Sequence, residues 1–220
     1  MKSNEQLQKD VQDAIKWEPL LNAAEIGVTA KDGVVSLTGV VNSYSKKMQA
    51  EDAAKNVAGV TAVVEEIEIK YDGGWSKGDN EVANEVVAAI KGNWEVPKDK
   101  VKVKVENGWV TLDGEVEWNY QRDAAKTAIV NLAGVRNVSN NITIKSQSGS
   151  DLIEKGAIEC ALDRSWSLDD QDIDVEVKNH NVTLTGVVDS IYQKEEAGRI
   201  AWNAPGVWSM KNELVVEYND

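Results

Sequence analysis

One short run of residues is written three times in this chain at nearly constant spacing, and that recurrence limits the fold more than any other feature. Leu37-Thr38-Gly39-Val40-Val41 returns 75 residues on as Leu112-Asp113-Gly114-Glu115-Val116, and a further 72 on as Leu184-Thr185-Gly186-Val187-Val188. Gly59-Val60, Gly134-Val135 and Gly206-Val207 keep the same two offsets, as do Ile15, Ile90 and Leu162. The register therefore runs through each copy without a gap. The three-residue difference falls in the connections, YDGGWSKGD at 71–79 and SQSGS at 146–150, whose Gly and Ser content marks flexible linkers. The expected modules are 1–72, 77–146 and 150–220.

Each copy opens on a helix. Leu7, Val11 and Ile15 recur every four residues, as do Val82, Val86 and Ile90, which puts each set on one helical face. In copy 3 Ile158 and Leu162 remain, and Glu154 stands at the first position. Strand-like alternation follows in Ile26, Val28, Ala30, in Val101, Val103, Val105 and in Ile173, Val175, Val177. Asp32-Gly33 and Asn107-Gly108 then predict hairpin turns with positive φ at both central residues; copy 3 has Asn179-His180 there. A second strand carries Val35 and Leu37, Val110 and Leu112, or Val182 and Leu184 inward. It is expected to stop at Gly39, Gly114 and Gly186, where glycine suits a positive φ or a close backbone contact. A helix of small residues follows (Ala50, Ala53, Ala54, Val57 in copy 1), capped by Gly59, Gly134 and Gly206. Ile67 and Ile69, Ile142 and Ile144, and Leu214 and Val216 mark a last strand. The fold class is thus α+β: three tandem αββαβ modules, each a three-stranded mixed sheet with both helices on one face and a right-handed β-α-β crossover.

The Leu-(Thr/Asp)-Gly-x-Val signature after an Asp-Gly or Asn-Gly turn, with the later Gly-Val pair before the last strand, resembles the BON domain. The opening LQKDVQDAIKWEP looks like the start of three-module bacterial members, and the resemblance covers nearly the whole chain. It implies the αββαβ fold, a non-catalytic role and binding of phospholipid or envelope surfaces during osmotic stress. Many such relatives are periplasmic or outer-membrane proteins. This chain begins MKSNEQLQKDVQD without the apolar run of an export signal, so the expected location is cytoplasmic, or periplasmic if a leader has been removed.

Charge narrows the partners. The chain carries 24 basic and 37 acidic residues, a net −13. That balance argues against nucleic acid and against simple adsorption to anionic headgroups. The charge is unevenly spread. Residues 1–72 hold 8 basic and 12 acidic side chains, 73–147 hold 10 of each, and 148–220 hold 6 and 15. Lys98, Lys100, Lys102 and Lys104 fall at every second position of copy 2, and Asp170, Asp172, Asp174 and Glu176 occupy the same places in copy 3. On alternation, each set forms a stripe on the outer sheet face. The stripes are either solvated faces that resist edge pairing or complementary surfaces that attract one another, within one chain or between two. The lysine stripe is the one candidate patch for a lipid headgroup or other anion.

Residues for catalysis are scarce. The single histidine, His180, sits in a hairpin turn, and the single cysteine, Cys160, on a helix, so no intrachain disulfide forms and neither has an evident catalytic partner. No Cys/His set has zinc spacing, no phosphate loop occurs, and Asp169-Asp170-Gln171-Asp172 lacks the pattern of a calcium loop. No segment approaches a membrane span. No enzyme, cofactor or metal is expected. Eight tryptophans accompany no phenylalanine. Trp17, Trp94 and Trp166 follow the first helices and are expected to close the cores. Trp109 should face outward, and Trp75, Trp109, Trp118 and Trp208 should seal contacts between modules, with ligand-binding aromatic patches as the alternative. The expected function is a non-enzymatic, stress-associated binding or scaffold protein that meets proteins, phospholipid surfaces or further copies of itself; the alternative is an envelope phospholipid binder.

Overall fold

The computed structural model describes residues 2–71, 77–145, 155–168 and 171–217. Copy 1 runs α1 (Asn4–Trp17), β1 (Ile26–Lys31), β2 (Val34–Val41), α2 (Tyr44–Lys55) and β3 (Ala62–Ile69). Copy 2 repeats the order as α3 (Asp79–Gly92), β4 (Val101–Glu106), β5 (Trp109–Val116), α4 (Asn119–Thr127) and β6 (Asn137–Ile144). Copy 3 runs α5 (Lys155–Asp163), β7 (Ile173–Lys178), β8 (Asn181–Val188) and α6 (Ile191–Trp202), and its last strand is broken into β9 (Ser209–Asn212) and β10 (Val215–Val216). The chain is three tandem α+β modules, as the repeat implies. Glu154 and both linker centres lie outside the described residues.

In every copy the second strand is central. β1, β4 and β7 pair with it antiparallel through the hairpin, and β6, β9 and β10 pair with their partners parallel. The helix-period and strand-period residues meet in one core per copy. In copy 3, Ile158 and Leu162 of α5 and Ala197 and Ala201 of α6 pack with Val175, Val182, Leu184 and Leu214. The alanines of the second helix are buried throughout, which lets the backbone lie close to the sheet.

The repeated glycine is an interior strand residue, not a strand end. β2 continues through Gly39 to Val41, and β5 and β8 pass Gly114 and Gly186 in the same way. At Gly39 φ is +140°, and an added Cβ would lie 2.0 Å from the Glu25 carbonyl oxygen. The same carbonyl position, Lys100 or Asp172, would be 2.1 Å from a Cβ at Gly114 or Gly186. The incoming strand crosses so near that only a hydrogen fits.

The hairpin turns are set by Asp32 and Asn107, both at positive φ, each followed by a glycine also at positive φ. The first helix holds them from the side. Asn4 Oδ1 accepts the Asp32 amide at 2.8 Å, and the Asp79 carboxylate accepts the amides of Asn107 and Gly108 at 2.7 and 2.9 Å. In copy 3 only Asn179 takes positive φ. His180 instead stacks on Trp208, with ring centroids 3.7 Å apart and planes 7° from parallel. Its Nδ1 lies 2.8 Å from the Gly206 carbonyl, so that nitrogen carries the hydrogen and donates. His180 is thus a packing residue of its turn.

The molecule divides into two compact units: 1–40, 46–68 and 151–220 form one, and 41–45 with 69–150 form the other. Copies 1 and 3 therefore share a unit although copy 2 lies between them in sequence.

Candidate functional site

The two charged stripes are only partly built as alternation predicts. Lys102 and Lys104 lie on β4 with exposed side chains, and Lys100 immediately precedes it. Lys98 belongs to a turn before the strand, where Asp99 takes φ +61°. In copy 3, Asp174 and Glu176 are exposed on β7, Asp172 precedes it, and Asp170 lies outside the described residues. Lys104 pairs with Glu106 two residues on, at 2.8 Å, and Glu176 pairs with Lys178 at 2.7 Å. The same local pair is thus written twice with its charges exchanged. Each stripe answers some of its own charge on its own strand, and exposed pairs of this kind contribute little, about 0–1 kcal/mol.

The tryptophans depart most from expectation. Trp17, Trp94 and Trp166 do not close the cores: they are 84%, 89% and 87% exposed. The helical wheel explains Trp17. It follows the buried Ile15 by two positions, about 200° around the axis. Trp94 and Trp166 stand four residues after Ile90 and Leu162, a spacing that would return them to the core in a continuing helix. But α3 ends at Gly92 and α5 at Asp163, and the chain has left the helical path before the indole is reached. Each copy therefore presents one large aromatic ring to solvent at or just past the end of its first helix. Trp109 faces outward as alternation requires, Trp118 and Trp208 are half-buried, and Trp75 lies outside the described residues.

A joint between copies 1 and 3 forms the most elaborate surface within a unit. The Gly59 amide donates to the Asp189 carbonyl at 3.2 Å. Lys55 Nζ reaches Glu51 on its own helix at 3.0 Å and Glu195 of copy 3 at 2.7 Å. Burial works against the charge on Lys55, but the Glu195 and Glu51 carboxylates outweigh it and hold its pKa above the usual lysine value. Beside this joint lies a cleft of about 720 Å³ lined by Asn56, Ala58, Trp166, Ser167, Gln171, Asp189, Ser190, Tyr192 and Gln193.

The start of α6 fixes the cleft's polar wall. Ser190 caps the helix by accepting the Gln193 amide at 3.2 Å, and Gln193 Oε1 accepts the Asp189 amide at 2.8 Å. Gln193 Nε2 donates to the Ser167 carbonyl at 3.0 Å, and Gln171 Nε2 donates to Asp189 Oδ2 at 3.3 Å. This arrangement joins residues far apart in sequence that no repeat period connects. A smaller recess of about 280 Å³ in copy 2 includes Tyr71, Lys77, Asp79 and Arg136. There Lys77 pairs with Glu85 and Asp79 holds the hairpin amides, so both charges already have structural partners.

Among the described residues, no group of three or more His, Cys, Asp or Glu side chains is placed to hold a metal ion. Cys160 is exposed on α5. No helix among them is long and apolar enough to cross a membrane.

Comparison with known proteins assigns all three copies to one family model, the BON domain, at residues 3–71, 78–146 and 155–218. The chain is 30% identical over 129 residues to the Osmotically-inducible protein Y of Escherichia coli (strain K12), a match covering 57% of this chain and 64% of that protein. It is 33% identical over 121 residues to the 21 kDa hemolysin of Actinobacillus pleuropneumoniae, covering 54% of this chain and 62% of that one. The matches thus span a little under two thirds of either relative's length. Among solved structures, CdsD, a structural protein of the Type III secretion system of Chlamydia trachomatis, aligns over 98% of this chain and 94% of its own with a TM-score of 0.27 and 17% identity. The PrgH periplasmic domain aligns over 89% and 96% with a TM-score of 0.21 and 9% identity. Nothing about this chain follows from structural likenesses that slight.

Proposed function

The chain belongs to the BON domain family, and we propose that as a three-module member it is a non-enzymatic, stress-associated binding protein of the cell envelope that attaches to phospholipid surfaces through its tandem copies. One observation carries this reading: each copy holds a tryptophan more than four-fifths exposed at or just past the end of its first helix. A buried core has no use for such residues, and water disfavours them. Indole is suited to the boundary between water and lipid, where its ring meets apolar chains and its N–H meets headgroups. Three weak contacts on one chain reinforce each other, because the second and third bind at high effective concentration. Association with osmotic stress is supported by the name and 30% identity of the E. coli relative. An envelope location, periplasmic rather than cytoplasmic, agrees with the family resemblance, and cell fractionation tests it.

Vesicle co-sedimentation tests the mode of attachment. With a net charge of −13, this chain should bind zwitterionic vesicles at least as well as anionic ones, and binding should change little between low and high salt. Replacing Trp17, Trp94 and Trp166 together by alanine should lower the bound fraction by about tenfold or more, with the far-ultraviolet circular dichroism unchanged. Undiminished binding by the triple variant would overturn the reading.

A second reading, a protein-binding scaffold, draws on the opposed stripes. On that reading Lys100, Lys102 and Lys104, with Lys98, would orient an acidic partner, and Asp172, Asp174 and Glu176, with Asp170, a basic one. Steering of this kind weakens as salt rises. Replacing the four lysines by glutamate should then change the small-angle scattering profile or the oligomeric state. An unchanged profile counts against it.

A further inference from the structure

We propose that the cleft beside the joint of copies 1 and 3 is a binding site for a neutral, hydroxyl-rich ligand, a short saccharide, held against Trp166 and Tyr192. The inference goes beyond surface attachment and does not depend on it. At about 720 Å³ the cleft is within the range of small-molecule sites. Two aromatic rings line it, one of them almost wholly exposed. Apart from Ala58, the rest of the described lining is amide, hydroxyl and one carboxylate, from Asn56, Ser167, Gln171, Asp189, Ser190 and Gln193. Among the described residues no lysine or arginine lines it, and copy 3 is the most acidic third of the chain, so nothing described there offers a phosphate or other anion a counter-charge. Sugars offer apolar C–H faces that stack on indole and phenol rings. Their hydroxyls both donate and accept, which planar amides and a carboxylate match.

The wall is already oriented. Gln193 is tied at both ends of its amide, and Gln171 and Asp189 hold each other through one atom each. That leaves the Gln171 carbonyl and the second Asp189 oxygen to meet a ligand, together with the Asn56 amide. Ligand ordering costs less against groups held in place before binding.

Repeat comparison shows that this site is not a by-product of the fold. At the positions of Trp166, Ser167, Gln171, Asp189, Ser190, Tyr192 and Gln193, copy 2 has Trp94, Glu95, Asp99, Glu117, Trp118, Tyr120 and Gln121, which add two acids and a bulky indole. Copy 1 has Pro19, Leu20, Ala24, Asn42, Ser43, Ser45 and Lys46, with no aromatic ring. Only copy 3 combines paired aromatics with small neutral polar groups, and only copy 3 has this surface beside Asn56 and Ala58 of copy 1.

Nuclear magnetic resonance titration of the full chain with chitobiose and with maltotriose tests the proposal. At least one sugar should shift the side-chain amide signals of Asn56, Gln171 or Gln193 and saturate with a Kd near about 1 mM. Trp166→Ala and Asp189→Asn should each weaken that response by about tenfold. Trp94→Ala should leave it intact while lowering vesicle binding, and Asp189→Asn should leave vesicle binding intact, so the two readings fail separately. Absence of any shift with either sugar, or equal shifts in Trp166→Ala, would overturn the saccharide site whatever the vesicles show.

Discussion

A hydrogen at the position of Gly39 is required twice over, by a φ of +140° and by the Glu25 carbonyl that occupies the place of a Cβ. Gly114 and Gly186 repeat both conditions. An alanine there must move backbone, not a yielding side chain. Combined backbone strain and overlap should cost about 2–5 kcal/mol, read as a lower urea midpoint for Gly114→Ala. Gly92 is the internal control: nothing lies within 4 Å of an added Cβ, and it closes α3. Gly92→Ala should be neutral or stabilising by up to about 1 kcal/mol. If both variants melt together, the close approach is not what holds the glycine. Asp79 is a second residue of this kind. Its carboxylate accepts two turn amides, and Asp79→Ala should cost about 1–3 kcal/mol in the same urea measurement by leaving them without that partner. A loss no larger than that of an exposed surface alanine substitution would show that water replaces the carboxylate freely.

Helix ends decide what the elements present outward, and there the sequence is less informative than in their middles. The four-residue spacing of Leu7, Val11 and Ile15 and the alternation of Val101, Val103 and Val105 describe buried faces directly, because period and burial are the same property. Where a helix stops is a weaker signal. Trp94 obeys the spacing from Ile90 and would be a core residue if α3 lasted one more turn. The joint between copies 1 and 3 was not legible at all: Lys55 and Glu195 are 140 positions apart, and no periodicity links them. That joint should respond to pH. Since Glu195 and Glu51 raise the Lys55 pKa, its contribution is complete below the ordinary lysine value, about 10.4, and disappears as pH rises through the higher folded value. Glu195→Gln should lower stability by about 0.5–1 kcal/mol at neutral pH, and the difference from the parent chain should vanish in strong alkali. Urea melts of both chains from pH 8 to 11.5 would measure it, and a gap that widens with pH would refute the assignment.

The whole molecule groups most of its first copy with its third in one compact unit and keeps its second in another. Each copy alone is about 70 residues, a size that buries little surface and is marginally stable. A joint fixed by the Gly59 amide and the Lys55 ammonium therefore matters to both partners, and copies 1 and 3 should open together although the chain between them does not take part. In native-state hydrogen exchange across a urea series, the slowest amides of β2 and β8 should share one free energy and one urea dependence, whereas those of β5 follow their own. Ending the chain after residue 145 should then shift the β2 amides to faster exchange and leave the β5 amides nearly where they were. The opposite pattern, with β2 and β5 opening as neighbours in sequence and β8 alone, would mean that the order of the modules along the chain governs cooperativity and that the joint of copies 1 and 3 contributes nothing measurable to it.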